Sequence, residues 1–568
     1  MLDLLHQIPT AFLFFATAGL TLCLPKGVMR NLLLLGTPIL AAFQVWTLGM
    51  GEFANMSFLG FDLELMRVDA LSRVFVLIFC LAAFLTNLFA WHLRDTLQQV
   101  AALAYAGSAI GAVLAGDLIT LFFYWEGTAI ASVFLIWARG TQGSFHTGMR
   151  YLIIQISSGV ILIAGVALHY ATTGSIEFAH MELASLATWL IFLSFGIKCA
   201  FPLLHNWLAD SYTAATLTGT VILSAFTTKL AIYALARGFA GTEILIYIGA
   251  VMAVFPIVFA ILDNDLRRTL AYSLNIQLGF MVVGIGVGTE LALNGAVSHA
   301  VASVLYQGLL FMVVGAVIFR TGTAKLSDLG GLYRTMPKTA ILCLVGAASI
   351  AALPFFSGFV TKSLTLSAVA KEHYTYIWLA LVFSSALVVA HSGIKIVFFT
   401  FFGADSGKRP AEAPTHMLLA MALTALACIL IAVVPDALYS ILPYAVDYHP
   451  YTTGHVAKQL QLVFFALLAF AVIYRAGLYP THKRSTTVDT DVVYRKILPS
   501  AVGYLAFLVA AVFTGTTGFI NRKAIKTIDR LHHSHGPDGS RAASWPAGAM
   551  VMSIAALLGL ALFVIFFS

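Results

Sequence analysis

The chain has 568 residues, of which 60% are apolar and 10% charged, with a mean hydropathy of +0.92, a profile outside the range of water-soluble globular domains. At roughly 20 apolar residues per spanning helix, some 15 to 17 spans use up almost all of the apolar residues, and the polar stretches around 403–415, 479–497 and 521–545 are too short to bury cores of their own. The formal net charge of +7 is dispersed through short loops, which suits a membrane surface and not a nucleic-acid footprint.

Apolar windows follow one another at about 9–25, 31–49, 71–91, 98–116, 118–138, 148–171, 184–208, 215–236, 243–262, 268–288, 291–319, 339–370, 376–402, 416–434, 459–478, 498–519 and 546–567, and predict an all-α polytopic protein with one membrane domain. The opening MLDLLHQIP lacks a basic n-region and a small-residue cleavage site, so the first window is expected to remain as a span. Two windows, 291–319 and 339–370, exceed one crossing, and the second carries Pro354, Ser357 and Gly358 in its middle. A broken helix is expected there, since irregular backbone survives at membrane depth only beside other helices or a water-filled cavity. The five cysteines, Cys23, Cys80, Cys199, Cys343 and Cys428, are isolated without a CxxC pair, which argues against disulfides, iron–sulfur clusters and zinc. No Walker loop occurs, and the glycine-rich GIGVGTE at 284–290 ends an apolar helix instead of following a strand. No cofactor and no metal are expected, and HHSH at 532–535 reads as solvated loop.

Of the 32 Lys and Arg, Lys198, Lys229, Lys362 and Lys395 lie within apolar windows. With window edges counted to their loops, 18 of the others follow odd-numbered windows and 10 follow even-numbered ones. This asymmetry places the odd loops in the cytoplasm and the N-terminus outside. Arg522, Lys523, Lys526, Arg530 and Arg541 run against the pattern, so the side of the C-terminal region stays open, and 520–535 is a candidate amphipathic helix along the membrane surface.

An ionisable group at mid-membrane costs at least ~2.5–3.5 kcal/mol on insertion scales and therefore needs a partner, a cavity or a function. Here Glu126 follows LFFYW, Lys198 lies in SFGIKCAFP, Lys229 in TTKLAIYALAR, His299 in NGAVSHAVASVLYQ, Lys362 in FFSGFVTKSLTL and Lys395 in SGIKIVFFTFF. Glu126 and Lys198 alone make an ordinary neutralising pair. Four lysines and a histidine against one evident carboxylate call for more, because an ammonium removed from water releases its proton more readily and a positive neighbour adds to this. A proton relay through Glu126, Lys198, Lys229, His299 and Lys362 is the expectation. Lys395, near a window end, is a weaker path candidate that can snorkel to the interface, and His205 and Asp210 are candidate entry residues. Lys198 stands four residues before Pro202 and Lys362 eight after Pro354, in windows five apart. Paired interruptions of this kind point to internal repeats over windows 4–8 and 9–13.

The runs DLITLFFYWEGTAIAS (117–132), GIKCAFPLLHNWLADSYTAA (196–215), TKLAIYALAR (228–237), DNDLRRTLAYSLNIQLGFM (263–281) and LPFFSGFVTKSL (353–364) together resemble the antiporter-like subunits shared by Mrp cation/proton antiporters and respiratory complex I, over roughly residues 60–405. The resemblance implies two inverted five-helix repeats, at 98–237 and 243–402, flanked by N-terminal helices (1–97) and C-terminal helices (416–568), with broken seventh and twelfth helices. It assigns Glu126 to the fifth-helix glutamate, Lys198 to the broken-helix lysine that pairs with it, Lys229 to the eighth-helix lysine, His299 to an eleventh-helix histidine and Lys362 to the terminal residue. Lys362-Ser363 is closer to the D-type Mrp pattern than to the glutamate or Lys-Asp of complex I subunits. Ser303 and Gln307 stand where many relatives have a second histidine and a lysine, so the middle of the path leans more on water.

The implied function is the proton-translocating subunit of a multisubunit Mrp-type Na+ or K+/proton antiporter in a bacterial inner membrane, without redox chemistry of its own. Its partners are the other subunits, protons, a monovalent cation and the bilayer, and no nucleic acid. The alternatives are a proton-pumping subunit of a complex I-like or hydrogenase-like redox enzyme and an energy-coupling subunit for inorganic carbon uptake. Fold-level analogy alone does not separate them.

Overall fold

The computed structural model describes residues 8–479, 497–536 and 547–567. Among these, 12 helices are long and apolar enough to cross a membrane and five shorter ones are apolar; each of the seventeen sequence windows holds one of them. The chain is a multi-pass membrane protein that is helical apart from one β-hairpin among the described residues. It divides into two compact units, Met1–Thr487 and Val488–Ser568.

In the first unit the helices that carry the buried charges follow a β-hairpin and four leading helices. These are α1 (Thr10–Cys23), α2 (Val28–Thr47), α3 (Ala70–Phe89) and α4 (Thr96–Leu114), with β1 (Gly51–Phe58) paired antiparallel to β2 (Phe61–Val68) between α2 and α3. The hairpin lay outside the sequence expectation because its charged, alternating strands sit between two apolar windows. It turns at Leu59 and Gly60, both left-handed at φ 50° and 83°, as a tight hairpin turn requires. Next come α5 (Leu118–Trp137), α6 (Gln142–Thr173), α7 (Leu186–Lys198), α8 (Asn206–Ala214), α9 (Leu217–Ala225) and α10 (Thr227–Gly238). Then follow α11 (Ile244–Val254), α12 (Pro256–Leu262), α13 (Leu266–Val287), α14 (Glu290–Thr321), α15 (Pro337–Ile350), α16 (Ser357–Lys371) and α17 (Thr375–Val388), which continues as π-helix through Val389–Lys395 and Phe398–Phe402. The unit closes with α18 (Thr415–Val433), α19 (Pro435–Tyr439) and α20 (Thr453–Arg475).

Side-chain caps set where spans begin. Asp69, Asp95, Asp117, Thr141, Ser185, Thr216, Asp265 and Thr289 each accept a hydrogen bond from a backbone N–H in the first turn, satisfying donors that lipid cannot. The interior of the unit is formed by α9–α10, whose apolar window is fully buried, with α13 and α14 at 94%. α14 is one unbroken helix of 32 residues, about 48 Å long at 1.5 Å per residue, so the long window 291–319 needs no interruption.

The window 184–208 breaks between α7 and α8, and 339–370 breaks between α15 and α16. The two breaks match residue for residue at an offset of 152. Ala200 and Leu203 are left-handed (φ 61° and 70°), and so are Ala352 and Phe355 (φ 55° and 71°). Phe201 N–H donates to Gly196 O and Leu353 N–H to Ala348 O, each at 3.0 Å. Pro202 and Pro354 occupy the same place in both. Left-handed conformation costs a non-glycine residue roughly 1–2 kcal/mol, so the same costly turn made twice supports internal duplication.

In the second unit, 520–535 is not a separate surface helix. It continues the apolar 498–519 stretch as a single helix, α21 (Leu498–His535), whose last turn holds His532, His533 and His535; α22 (Ala547–Phe567) follows.

Candidate functional site

The expected path residues are all in the first unit, and Lys198, Lys229, His299 and Lys362 are 2% exposed or less. The lysines share a structural motif. Each amine donates to a backbone carbonyl; for Lys229 and Lys362 it is one released where a helix is interrupted, a position favoured for cations by the negative end of the helix dipole, whereas Lys198 uses the Trp125 carbonyl within α5.

Lys198 is the last residue of α7, held against α5. Its Nζ donates to the Trp125 carbonyl and, at 2.8 Å, to Thr128 Oγ1, and lies 4.4 Å from the centre of the Trp125 ring. The indole is fixed in turn by its Nε1 donating to Ser158 Oγ at 3.0 Å, and Ser158 Oγ donates to Ser194 O at 2.9 Å. Glu126, one residue along α5, does not pair directly with Lys198: no ion pair within 4.0 Å joins them among the described residues. Its Oε1 is buried without a hydrogen-bond partner and lies against α6 at Gly159. The spacing explains this, because adjacent residues on a helix point about 100° apart and Lys198 takes the Trp125–Thr128 face. The expected contact pair is therefore two neighbouring buried groups with different partners.

Lys229 stands at a third discontinuity, where Phe226 separates α9 from α10; its Nζ donates to Ser224 O at 2.9 Å. Lys362, on α16, reaches back across the second break to Ile350 O at 2.8 Å, with its Nζ 5.2 Å from the centre of the Phe280 ring. Ile350 is the counterpart of Lys198 at the 152-residue offset, so the last residue of the first half-helix bears the amine in the first repeat and accepts from one in the second.

Between them lies His299 on α14. Its Nδ1 is 3.0 Å from Thr361 Oγ1, beside Lys362, and its Nε2 is 3.1 Å from Gln277 Oε1 and 3.3 Å from Tyr306 OH. Ser303 Oγ, both polar atoms of Gln307, both of Asn275, and Thr228 Oγ1 beside Lys229 are buried without protein partners. Buried polar atoms normally find a partner, in protein or ordered water, so these groups, on the helices that carry Lys229 and His299 and on the neighbouring α13, are places where ordered water fits.

The weaker candidates separate. Lys395 does not snorkel: it is fully buried, and its Nζ donates to Ala260, Ile261 and Asp263 carbonyls at 2.9, 2.8 and 2.6 Å. All three of its donors are taken in capping α12, which gives it a structural task. Lys229 and Lys362 each hold one protein partner and keep donors for other acceptors. His205 starts α8 with its ring 4.6 Å from Phe255, and Asp210 lies 3.8 Å from Arg268. Sequence reasoning passed over His391, in the π-helical stretch one turn before Lys395; its Nδ1 is 2.7 Å from Ser392 Oγ, which donates to Ser273 Oγ at 2.7 Å. It meets the test applied to the lysines, an ionisable group within an apolar window. Gln277, Asn275 and Gln155 could have been found in the same way, as amides in such windows.

No group of three or more His, Cys, Asp or Glu residues suited to a metal ion occurs among the described residues.

Residues 115–388 match the family described as NADH:quinone oxidoreductase/Mrp antiporter, transmembrane region. The chain is 32% identical over 314 residues to the D-type Na(+)/H(+) antiporter subunit of Alkalihalophilus pseudofirmus, covering 52% of this chain and 63% of that protein. It is 27% identical over 429 residues to hydrogenase-4 component B of Escherichia coli, covering 67% and 63%. The matches thus span just under two thirds of these relatives. In fold it is similar to a chain of the Mrp complex from a Dietzia species (TM-score 0.74, 24% identity, 98% of this chain and 62% of that one). It is also similar to a chain of an archaeal membrane-bound sulfane sulfur reductase (TM-score 0.72, 21% identity, 97% and 99%). The resemblance carried by the five motifs is borne out.

Proposed function

From the premise that residues 115–388 belong to the NADH:quinone oxidoreductase/Mrp antiporter membrane family, we propose that this chain is the proton-translocating subunit of a multisubunit Mrp-type monovalent cation/proton antiporter in a bacterial inner membrane. Protons pass along Glu126, Lys198, Lys229, His299 and Lys362, within repeats at 98–237 and 243–402. The observation that carries this reading is the incomplete satisfaction of the buried amines. Lys229 and Lys362 each have one protein acceptor, whereas Lys395, which caps a helix end, has three. A lysine retained for packing alone is expected to resemble Lys395.

Each station can hold or release one proton without moving its backbone. Lys198 is steadied by Trp125 and Thr128 with Glu126 one residue away. Unpartnered hydroxyl and amide groups of Thr228, Ser303, Gln307 and Asn275 lie on the helices that carry Lys229 and His299 and on the neighbouring α13. Thr361 touches His299 and precedes Lys362 in the chain. Along such a path H+ passes from site to site, and the gradient sets its direction; the cation route is assigned to partner subunits. The likeness to a hydrogenase component favours one second reading, the same path in a redox-driven pump.

The test is Lys198→Ala in everted vesicles, with pH-gradient-driven Na+ and K+ exchange measured alongside assembly of the complex. Loss of exchange with assembly intact is expected; full exchange would overturn the path. Co-purification of flavin or iron–sulfur subunits would transfer the path to the redox reading.

A further inference from the structure

The long helices α6 and α14 are one element made twice. Both have 32 residues, both start from a threonine cap, Thr141 and Thr289, and both end on a left-handed glycine, Gly174 and Gly322 (φ 71° and 74°). They lie 148 residues apart, and the helices before them keep that offset: α5 and α13 start from the Asp117 and Asp265 caps, which form single β-bridges to Glu177 and Lys325 beyond the long helices. The second repeat is four residues longer between its long helix and its break, which is why the breaks align at 152.

At the offset of the long helices the counterpart of His299 is Tyr151, and their surroundings correspond. His299 bonds back to the preceding helix at Gln277 and on to the half-helix after the break at Thr361. Tyr151, 2% exposed, bonds back to α5, with its OH 2.7 Å from Ser132 Oγ, and its ring lies 5.7 Å from that of Trp207 on α8, the half-helix after the first break. A buried tyrosine needs one partner for its hydroxyl. This one has two, because the Thr227 side chain also hydrogen-bonds it. Thr227 Oγ1 is in turn 2.5 Å from Tyr105 OH, which accepts from the Thr227 backbone N–H at 2.9 Å.

These hydroxyls run from one lysine towards the next. Thr128, which accepts from Lys198, stands one turn before Ser132 on the same face of α5. Thr227 begins α10 just ahead of Lys229, and the hydroxyl of Thr228 between them is buried without a protein partner. A hydroxyl donates one hydrogen and accepts another, so each member of such a row can pass a proton on.

We propose that Tyr151 is the first repeat's counterpart of His299 as a proton carrier, and that Ser132, Tyr151 and Thr227 conduct H+ between Lys198 and Lys229. One H+ leaves the Lys198 ammonium, which becomes a neutral amine, and one is taken up by a neutral Lys229 amine. Each hydroxyl between them forms one O–H bond as it breaks another, so none keeps a charge. This role of Tyr151 rests on the proposed proton path, to which it adds a carrier between Lys198 and Lys229.

Tyr151→Phe keeps the ring and removes the hydroxyl, whereas Tyr151→His supplies the carrier that the second repeat uses. Cation exchange in everted vesicles, normalised to assembled complex, is expected to fall about tenfold in Tyr151→Phe, a modest share of what a positioned proton donor contributes, and to be several-fold higher in Tyr151→His. A packing role predicts the opposite order, because phenylalanine fills the site of a tyrosine better than histidine does. Full exchange in Tyr151→Phe, or exchange in Tyr151→His no higher than in Tyr151→Phe, overturns the assignment. Should Tyr151→His not assemble, Thr227→Val, which matches threonine in size, and Thr227→Ser, which keeps the hydroxyl, decide: several-fold lower exchange in Thr227→Val is expected, and equal rates overturn the relay. Lys198→Ala separates this role from the path as a whole. If it abolishes exchange and Tyr151→Phe does not, the path stands without Tyr151; if it leaves exchange full, the path itself fails.

Discussion

Replacing Gly159 by alanine tests whether the position of the Glu126 carboxylate, and not merely its presence, matters. A Cβ at residue 159 would lie 1.5 Å from Glu126 Oε1 and 2.4 Å from its Cδ. Ordinary contact begins near 3.4 Å, so Oε1 must retreat by at least 1.9 Å (3.4 − 1.5). The displaced atoms are the tip of a flexible side chain, and a rotamer displacement costs about 0.5–1.5 kcal/mol. Alanine regains up to about 1 kcal/mol over glycine within a helix, so α6 is expected to fold and assemble normally. Transport is expected to suffer, because misplacing a reacting group by 1 Å can cost roughly a hundredfold in rate. The assay is pH-gradient-driven cation exchange in everted vesicles, normalised to assembled complex, with Gly143→Ala on the same helix as control, since nothing lies within 4 Å of its added Cβ. An exchange rate equal to that of the control, with assembly equal, would refute the idea that Glu126 acts from this position.

Lys395→Met is expected to act on stability. Three carbonyls lose their donor, at about 1–3 kcal/mol for each buried group left unsatisfied, so the melting temperature in detergent should fall and yield with it, whereas Lys362→Met, which frees one carbonyl, should melt closer to the parent while losing exchange. Thr128→Val removes one of two acceptors of Lys198 and leaves the Trp125 carbonyl; exchange should drop less than in Lys198→Ala, and an equal loss would mean that Thr128 does more than position the amine. In the loop after α17, hydrogen bonding from Arg409 and from Gly407 N–H holds the Asp405 carboxyl well below the usual carboxylate range. A depressed carboxylate contributes above its unfolded value and is lost only as pH falls through the lower folded one, so proteolysis at Lys408 and Arg409 should be unchanged between pH 8 and 5 and should rise in Asp405→Asn.

How much was legible beforehand depended on the kind of signal. Spans were readable because the bilayer rewards one property, continuous apolar length, and each of the seventeen windows holds an apolar helix. The breaks were readable because proline and glycine interrupt a run that otherwise has no reason to stop. Lys198, Lys229, His299 and Lys362 stood out because a charge in such a window is costly wherever it points.

What these residues touch was decided by the tertiary structure. Glu126 and Lys198 looked like a contact pair, yet the packing of α7 on α5 gives the amine to Trp125 and Thr128 and leaves the carboxylate facing Gly159 of α6. Lys395 and Lys362 are alike in sequence, each a lone lysine in an apolar helix, and differ because one meets three carbonyls at a helix end and the other meets one across the second break. The near-identity of the two breaks, carried by left-handed residues that include Ala200 and Ala352, is invisible in residue types because alanine announces no turn. Apolar length and isolated charge are local properties and survive in the linear sequence. The partner of a buried amine is set by which carbonyls a neighbouring helix leaves unsatisfied, and that exists only once the helices have packed.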